Sequence, residues 1–373
     1  MLLYLFYLVI GMLLLIKGAD YFVDGASKIA KALRIPSLII GLTLVSMGTS
    51  APELSVNISA ALKGSNELSF GNVVGSNIFN TFLILGVASM FVPLAINKDM
   101  KKYDIPIMVG LYGLMLLFAF VITPYVLDIV ESIIFVVLFI SYIALLIYRA
   151  KKNKTEETVD DSPSTVKTLI LCVLLAAAGV FAYLEINYIA CAIMAIFVIL
   201  LLIKFKNSGE IKSKKVALIF NILFSLAGVI GIVGGGTMVV ESAKEIALKL
   251  EMTETLIGLT IVALGTSLPE LVTSAVASIK KENDIAIGNV IGSNIFNIIF
   301  ILGISSSISN LTISDKLGFG ISNSLVDLLV LLVSGISVLL IALFGKNIKK
   351  WQGVIFILAY VAYIAYIVLR EFS

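Results

Sequence analysis

The chain has 373 residues, of which 60% are hydrophobic and 14% charged, and its net charge is +3. A soluble domain carries about 25% charged residues, so this composition excludes an ordinary soluble core and leaves a polytopic membrane protein. There is no basic patch with interleaved aromatics of the kind that binds nucleic acid, and no histidine to serve as a proton shuttle or a zinc ligand.

A spanning helix needs about 20 mostly apolar residues. On that ruler the first span is 2–17, in an N-terminus without a basic n-region or cleavage site, so it reads as a retained helix. Residues 18–34 read as a polar-faced helix or loop. Spans follow near 37–62, 68–92, 105–122 and 126–148. A charged loop, 149–166, precedes two further spans at 167–183 and 187–205. These hold Cys172 and Cys191, for which buried, inert thiols are the expectation. A basic loop then leads to spans near 216–236, 254–279, 286–308, 322–344 and 351–369, with 235–251 as a second polar-faced segment. The expectation is an all-α protein of about twelve spans, divided as 1–148, 149–215 and 216–373.

An internal repeat organises these spans. Shifted by 217 residues, the first half overlays the second without a gap from Gly18/Gly235 to Gly86/Gly303. GNVVGSNIFN at 71–80 meets GNVIGSNIFN at 288–297, and GTSAPE at 48–53 meets GTSLPE at 265–270. Each repeat holds five spans, an odd number, and the intervening pair does not change parity. The repeats therefore enter the membrane from opposite sides, as in secondary transporters with broken helices and a site at the midplane. Lysine and arginine concentrate in loops on one side of this arrangement, which puts both termini outside the cell membrane.

The two hexapeptides each place a carboxylate in a long apolar run. Burying one there costs a few kcal/mol or more, which marks Glu53 and Glu270 as functional. Spacings of three and four residues put Ser50 and Thr49 beside Glu53. Pro52 and Pro269 lack an N–H, so the carbonyls of Gly48 and Gly265 lose partners, and the turn opens near Ser46–Met47 and Ala263–Leu264. In the next span of each repeat, Asn72, Ser76 and Asn80, and Asn289, Ser293 and Asn297, step by four along one face. Asn72, Asn289, Asn77 and Asn294 read as interhelical hydrogen-bonding groups. Ser76, Asn80, Ser293 and Asn297 sit deeper and read as part of the site. Gly71/Gly75 and Gly288/Gly292 are GxxxG pairs that permit close helix approach. The ligand set is oxygen throughout, which selects hard cations such as sodium, calcium, magnesium or manganese.

These paired segments resemble the two α-repeats of the sodium/calcium exchanger family, within the calcium/cation antiporter superfamily, in its prokaryotic type without large cytoplasmic regulatory domains. The likeness is highly specific over 36–86 and 253–303 and looser elsewhere. It implies two inverted five-helix halves, with 149–215 as an extra two-helix hairpin. It implies that Glu53 and Glu270 bind calcium and share sodium sites with Thr49, Ser50, Thr266, Ser267, Ser76 and Ser293. The carbonyls of Ser46 and Ala263, with Asn80 and its repeat mate Asn297, join that set. Potassium-dependent relatives carry an aspartate where this chain has Asn297, which argues against potassium co-transport. The implied activity is sodium/calcium exchange by alternating access, with spans 2–17 and 216–236 as a sliding gate. Calcium and sodium are then substrates, the lipid bilayer is the surroundings, and neither a cofactor nor an obligatory protein partner is expected. Proton-coupled exchange of calcium on the same scaffold is the alternative. A cation channel is disfavoured by the lack of a carbonyl filter loop, and an intramembrane enzyme by the lack of a nucleophile–base pair or H-E-x-x-H.

Overall fold

Long apolar runs with few breakers give long helices, and the polar breaks fall where the repeat places them. The computed structural model describes residues 2–33, 35–64, 66–152, 214–249, 263–313, 317–318 and 321–371. In chain order these form α1 (Leu2–Leu33), α2 (Ser37–Thr49), α3 (Ala51–Leu62), α4 (Asn66–Phe91), β1 (Leu94–Ala95) and α5 (Met100–Ile122). Next come β2 (Val126–Leu127), α6 (Ile129–Lys152), α7 (Lys214–Lys249), α8 (Leu268–Ile279) and α9 (Asn283–Ile308). The chain continues through β3 (Leu311–Thr312), β4 (Leu317–Gly318), β5 (Ile321–Ser322), α10 (Asn323–Phe344), β6 (Asn347–Ile348) and α11 (Lys350–Glu371).

Eight helices among the described residues are long and apolar enough to cross a membrane, and the broken pair α2–α3 passes the same test as one span. The protein is a helical, multi-pass membrane protein. The spans expected at 167–183 and 187–205, and the first part of that at 254–279, lie outside the described residues. Over the described residues, 18–33 and 235–249, the two expected polar-faced segments are not separate elements. They continue α1 and α7 as unbroken helices of 32 and 36 residues.

The chain forms two compact units, Met1–Pro52 with Leu145–Asn289, and Glu53–Ala144 with Val290–Ser373. In the first, α1 lies along α7 with backbone against backbone. A side-chain carbon on Gly18 would sit 2.7 Å from the Ile232 nitrogen and 2.8 Å from the Gly228 oxygen. One on Gly235 would sit 2.6 Å from both the Gly11 oxygen and the Leu15 nitrogen. Gly228 and Gly235 are the residues 217 positions beyond Gly11 and Gly18, so the contact is reciprocal between repeat mates. Tyr21 meets Phe224 edge-on at 4.7 Å on the same seam.

The polar half of α1 has its own partners. Lys280 Nζ lies 2.6 Å from Asp20 Oδ1 and from Asp24 Oδ1, and also donates to the Asp20 carbonyl. Ser27 donates to Glu282 at 2.6 Å. The turn after α8 is thus stapled along one face of α1, which explains why the helix runs on past its apolar part. Close approach recurs at Gly288, whose side-chain carbon would lie 3.1 Å from Gly41 Cα. Gly71 and Gly75 have nothing within 4 Å among the described residues.

In the second unit α5 packs on α10, and Tyr112 lies over Gly335. α4 packs on α11, with Phe79 edge-on to Tyr360 at 5.4 Å. Two short antiparallel pairs join the helix ends, Leu94 opposite Ile348 and Leu127 opposite Leu311. Leu311 is the repeat mate of Leu94, so here too each repeat offers the other the same element. A capping box starts α6. Asp128 Oδ1 accepts from the Val130 N–H at 2.7 Å, and Glu131 Oε2 accepts from the Asp128 N–H at 3.0 Å.

Near the end of α11, Arg370 grips Asp327 of α10 with two bonds, at 2.7 and 3.0 Å, and Tyr363 donates to the same carboxylate at 3.0 Å. Both side chains of the ion pair are largely covered. Arg370→Met should therefore cost about 3 kcal/mol, because it strands the Asp327 charge. The double variant with Asp327→Asn should recover most of that loss. Melting of the purified protein in detergent reads both, and additive losses would show that the pair is not coupled.

Candidate functional site

Both hexapeptides break their helix at the same place. Ser50 has φ −81° and ψ 11°, and Ser267, its repeat mate, has φ −94° and ψ 6°. This bridge conformation ends one helix and lets another begin. Pro52 and Pro269 then sit in the first turn of α3 and α8, where a missing N–H leaves no bond unmade. The sequence placed a helix break at each proline, with the preceding turn opened near Ser46–Met47 and Ala263–Leu264. The observed break is sharper and falls at the serine. The Ser46 carbonyl accepts the Ser50 N–H at 3.0 Å and lies 3.3 Å from the Thr49 hydroxyl, which can donate to it as well. Ala263 lies in the short turn Ala263–Gly265 that precedes the second break.

The break also sets the electrostatics. Glu53 and Glu270 fall in the first turn of the new helices, where the exposed N–H groups favour negative charge. Both are completely buried. In the first unit, Ser50 Oγ donates to Glu270 Oε1 at 2.8 Å, which joins the two hexapeptides directly. Glu270 Oε2 is buried without a hydrogen-bond partner, and no lysine or arginine pairs with Glu270 among the described residues. Thr266 Oγ1 is likewise buried without a partner among the described residues, and Ser46, Thr49, Ser50 and Ser267 have no exposed surface. Asn289 braces this half. It accepts from Thr49 at 3.1 Å and donates to Ser274 at 2.9 Å, the interhelical role its position suggested.

In the second unit, Glu53, Ser76, Asn80, Ser293 and Asn297 are all buried. Asn57 donates to the Glu53 carbonyl at 2.8 Å and accepts from Ser69 at 2.6 Å, which ties α3 to α4 behind the carboxylate. Asn77 and Asn294 cross-link α4 and α9, as expected for interhelical amides. Asn297 also donates, to Asn77 Oδ1 at 2.9 Å.

Five local departures from α-helix among the described residues were not foreseen: two, Met100–Asp104 and Phe118–Ile122, lie at the ends of α5, and three lie beside site residues. Wider π turns occupy Gly41–Val45 ahead of the first hexapeptide, Phe79–Ile84 around Asn80, and Asn297–Leu302. Such turns often mark functional positions. The matching sites at 80 and 297 were visible only as part of the repeat, since no composition rule predicts a π turn.

This arrangement is carried by a chain that matches the family model described as sodium/calcium exchanger protein over residues 3–148 and 220–369. The chain belongs to the sodium/calcium exchanger family. A curated member, the sodium/calcium exchanger MaX1 of Methanosarcina acetivorans, is 34% identical over 365 residues, which are 96% of each chain. The putative antiporter CaxA of Alkalimonas amylolytica is 31% identical over 367 residues, again 96% of each. Among solved structures, the sodium-calcium exchanger NCX_Mj soaked with sodium and strontium superposes with a TM-score of 0.73 at 26% identity, covering 98% of both chains. The exchanger family match leaves out 149–219, the stretch between the repeats.

Proposed function

We propose that this exchanger family member is a secondary active antiporter that trades sodium for calcium by alternating access. The observation that carries the reading is the buried contact between hexapeptides. A glutamate with one oxygen held by Ser50 and the other without a donor among the described residues calls for a cation. The surrounding groups, from Thr49, Thr266 and Ser267, are hydroxyls, which suit calcium or sodium and not a soft metal. By the repeat, Glu53 serves the transported ion as Glu270 does, with Ser76, Ser293, Asn80, Asn297 and the Ser46 and Ala263 carbonyls completing the oxygen set. Calcium and sodium need the same carboxylates, so they occupy the site in turn. An empty site carries uncompensated charge, which makes an unloaded return costly and couples the two fluxes.

The reciprocal contacts of Gly11 with Gly235 and Gly18 with Gly228 support two inverted five-helix repeats, 1–148 and 216–373, flanking a hairpin within 149–215. On this reading both termini face outward from the cell membrane. The names of MaX1 and NCX_Mj favour sodium as the coupling ion, and Asn297 in place of an aspartate speaks against potassium. A proton could also settle on Glu270 Oε2, so coupling is the point to test. Purified protein in liposomes with an outward sodium gradient should accumulate calcium. Uptake driven by a pH gradient and indifferent to sodium would replace sodium by protons in this scheme.

A further inference from the structure

The two amides of the site, Asn80 and Asn297, are repeat mates with different surroundings. Asn297 is fixed. Its Nδ2 donates to Asn77 Oδ1 at 2.9 Å, which leaves Oδ1 as its buried, unpartnered atom. By the repeat, Asn80 should donate to Asn294 in the same way, since Asn294 is 217 residues beyond Asn77. It does not. Among the described residues both amide atoms of Asn80 are buried without a partner, and so is Asn294 Oδ1.

The cause is one residue. Asn294 has turned its Nδ2 onto Thr81 Oγ1 at 2.9 Å, with Met108 Sδ at 3.6 Å as a second neighbour. Thr81 gives its own proton to the Asn77 carbonyl at 2.8 Å, so its oxygen is left to accept. The repeat mate of Thr81 is Ile298, which accepts nothing. Asn77 therefore has no hydroxyl to turn toward. Its Nδ2 bonds the Asn294 carbonyl at 3.1 Å, and its Oδ1 stays in place for Asn297.

We infer that Thr81 is a positioning residue that makes the site asymmetric: by drawing Asn294 away it leaves Asn80 free to re-aim, while Asn77 holds Asn297 as a fixed oxygen. This rests on the reading of Asn80 and Asn297 as ion-site groups. A site that accepts calcium and sodium in turn needs one ligand that can move between two arrangements, and Asn80 is that ligand. Locking it would preorganise two amide oxygens. That favours calcium, which gathers more oxygens.

The test is calorimetric binding of calcium chloride to the purified full chain, with and without competing sodium chloride. Thr81→Val removes the acceptor at constant shape, and Thr81→Ile copies the second repeat. Each should shift the calcium-to-sodium affinity ratio toward calcium by about fivefold, the worth of one ordinary hydrogen bond. Thr81→Ser should keep the wild-type ratio. In an Asn80→Ala background the valine should have no further effect. An unchanged ratio, a shift toward sodium, or the same shift without Asn80 would overturn the inference. So would a chain that folds only with a hydroxyl at 81, since the hydroxyl would then serve the fold. If the wild-type chain binds neither ion, the site reading itself falls, and that result is distinct from a site that binds both but ignores position 81.

Discussion

Glu270→Gln is expected to abolish calcium uptake into sodium-loaded liposomes while leaving the protein folded. Glutamine has the shape of glutamate, and its amide oxygen can still accept the Ser50 hydroxyl now bonded at 2.8 Å. What disappears is a full negative charge in a site without exposed surface. Removing one partner of a buried charge interaction costs roughly 2–5 kcal/mol, so calcium binding should weaken by about thirtyfold or more. Stability should hold or rise, because the unloaded protein no longer buries an unpaired carboxylate. Ser50→Ala provides the scale. It removes one hydrogen bond, worth about 1 kcal/mol, and should weaken calcium only severalfold. Glu53→Gln should match Glu270→Gln, as its repeat mate. Near-normal flux through either glutamine variant would remove that carboxylate from the ion site.

The second large effect belongs to packing. Gly18→Val should prevent the protein from assembling α1 against α7. The added carbon would fall 2.7 Å from the Ile232 nitrogen and 2.8 Å from the Gly228 oxygen, and neither backbone atom can rotate away. Overpacking a core with room to adjust costs about 1–3 kcal/mol, and here the helices themselves must separate. Gly110→Ala is the control. It has open space within 4 Å among the described residues, and alanine favours a helix by about 0.5–1 kcal/mol over glycine. Melting in detergent should fall sharply for the first and hold or rise for the second. A Gly18→Val protein that melts like wild type would mean that the seam is not tight.

Much of this was legible because the signals were local. Apolar runs gave the long helices, and the recurrence of the hexapeptides, alike at five of six positions, gave the two breaks and the two carboxylates. The continuous length of α1 was not legible. Residues 18–34 read as a separate polar-faced segment, and the lysine that neutralises Asp20 and Asp24 stands some 260 residues away in sequence. The glycine seam was in principle readable, since Gly11, Gly18 and Gly25 recur at seven residues, a spacing the GxxxG pairs do not share. Asn297 read as a ligand from its depth, its place in the repeat and the family resemblance. That its amide nitrogen is committed to Asn77 depends on two helices meeting at one level, which spacing within a helix cannot reveal.

The uninterrupted run of α1 has a mechanical consequence. At 1.5 Å per residue its 32 residues make a rod of about 48 Å, and the 36 of α7 one of about 54 Å. The hydrocarbon layer is only about 30 Å thick. Each rod therefore reaches past the oil or lies strongly tilted in it, and a displacement at one surface arrives at the other without a hinge to absorb it. With glycines at the crossing there is no cushion of side chains to flex. The pair works as a lever, so a ligand or antibody that pins the end of one rod would be felt at the opposite face.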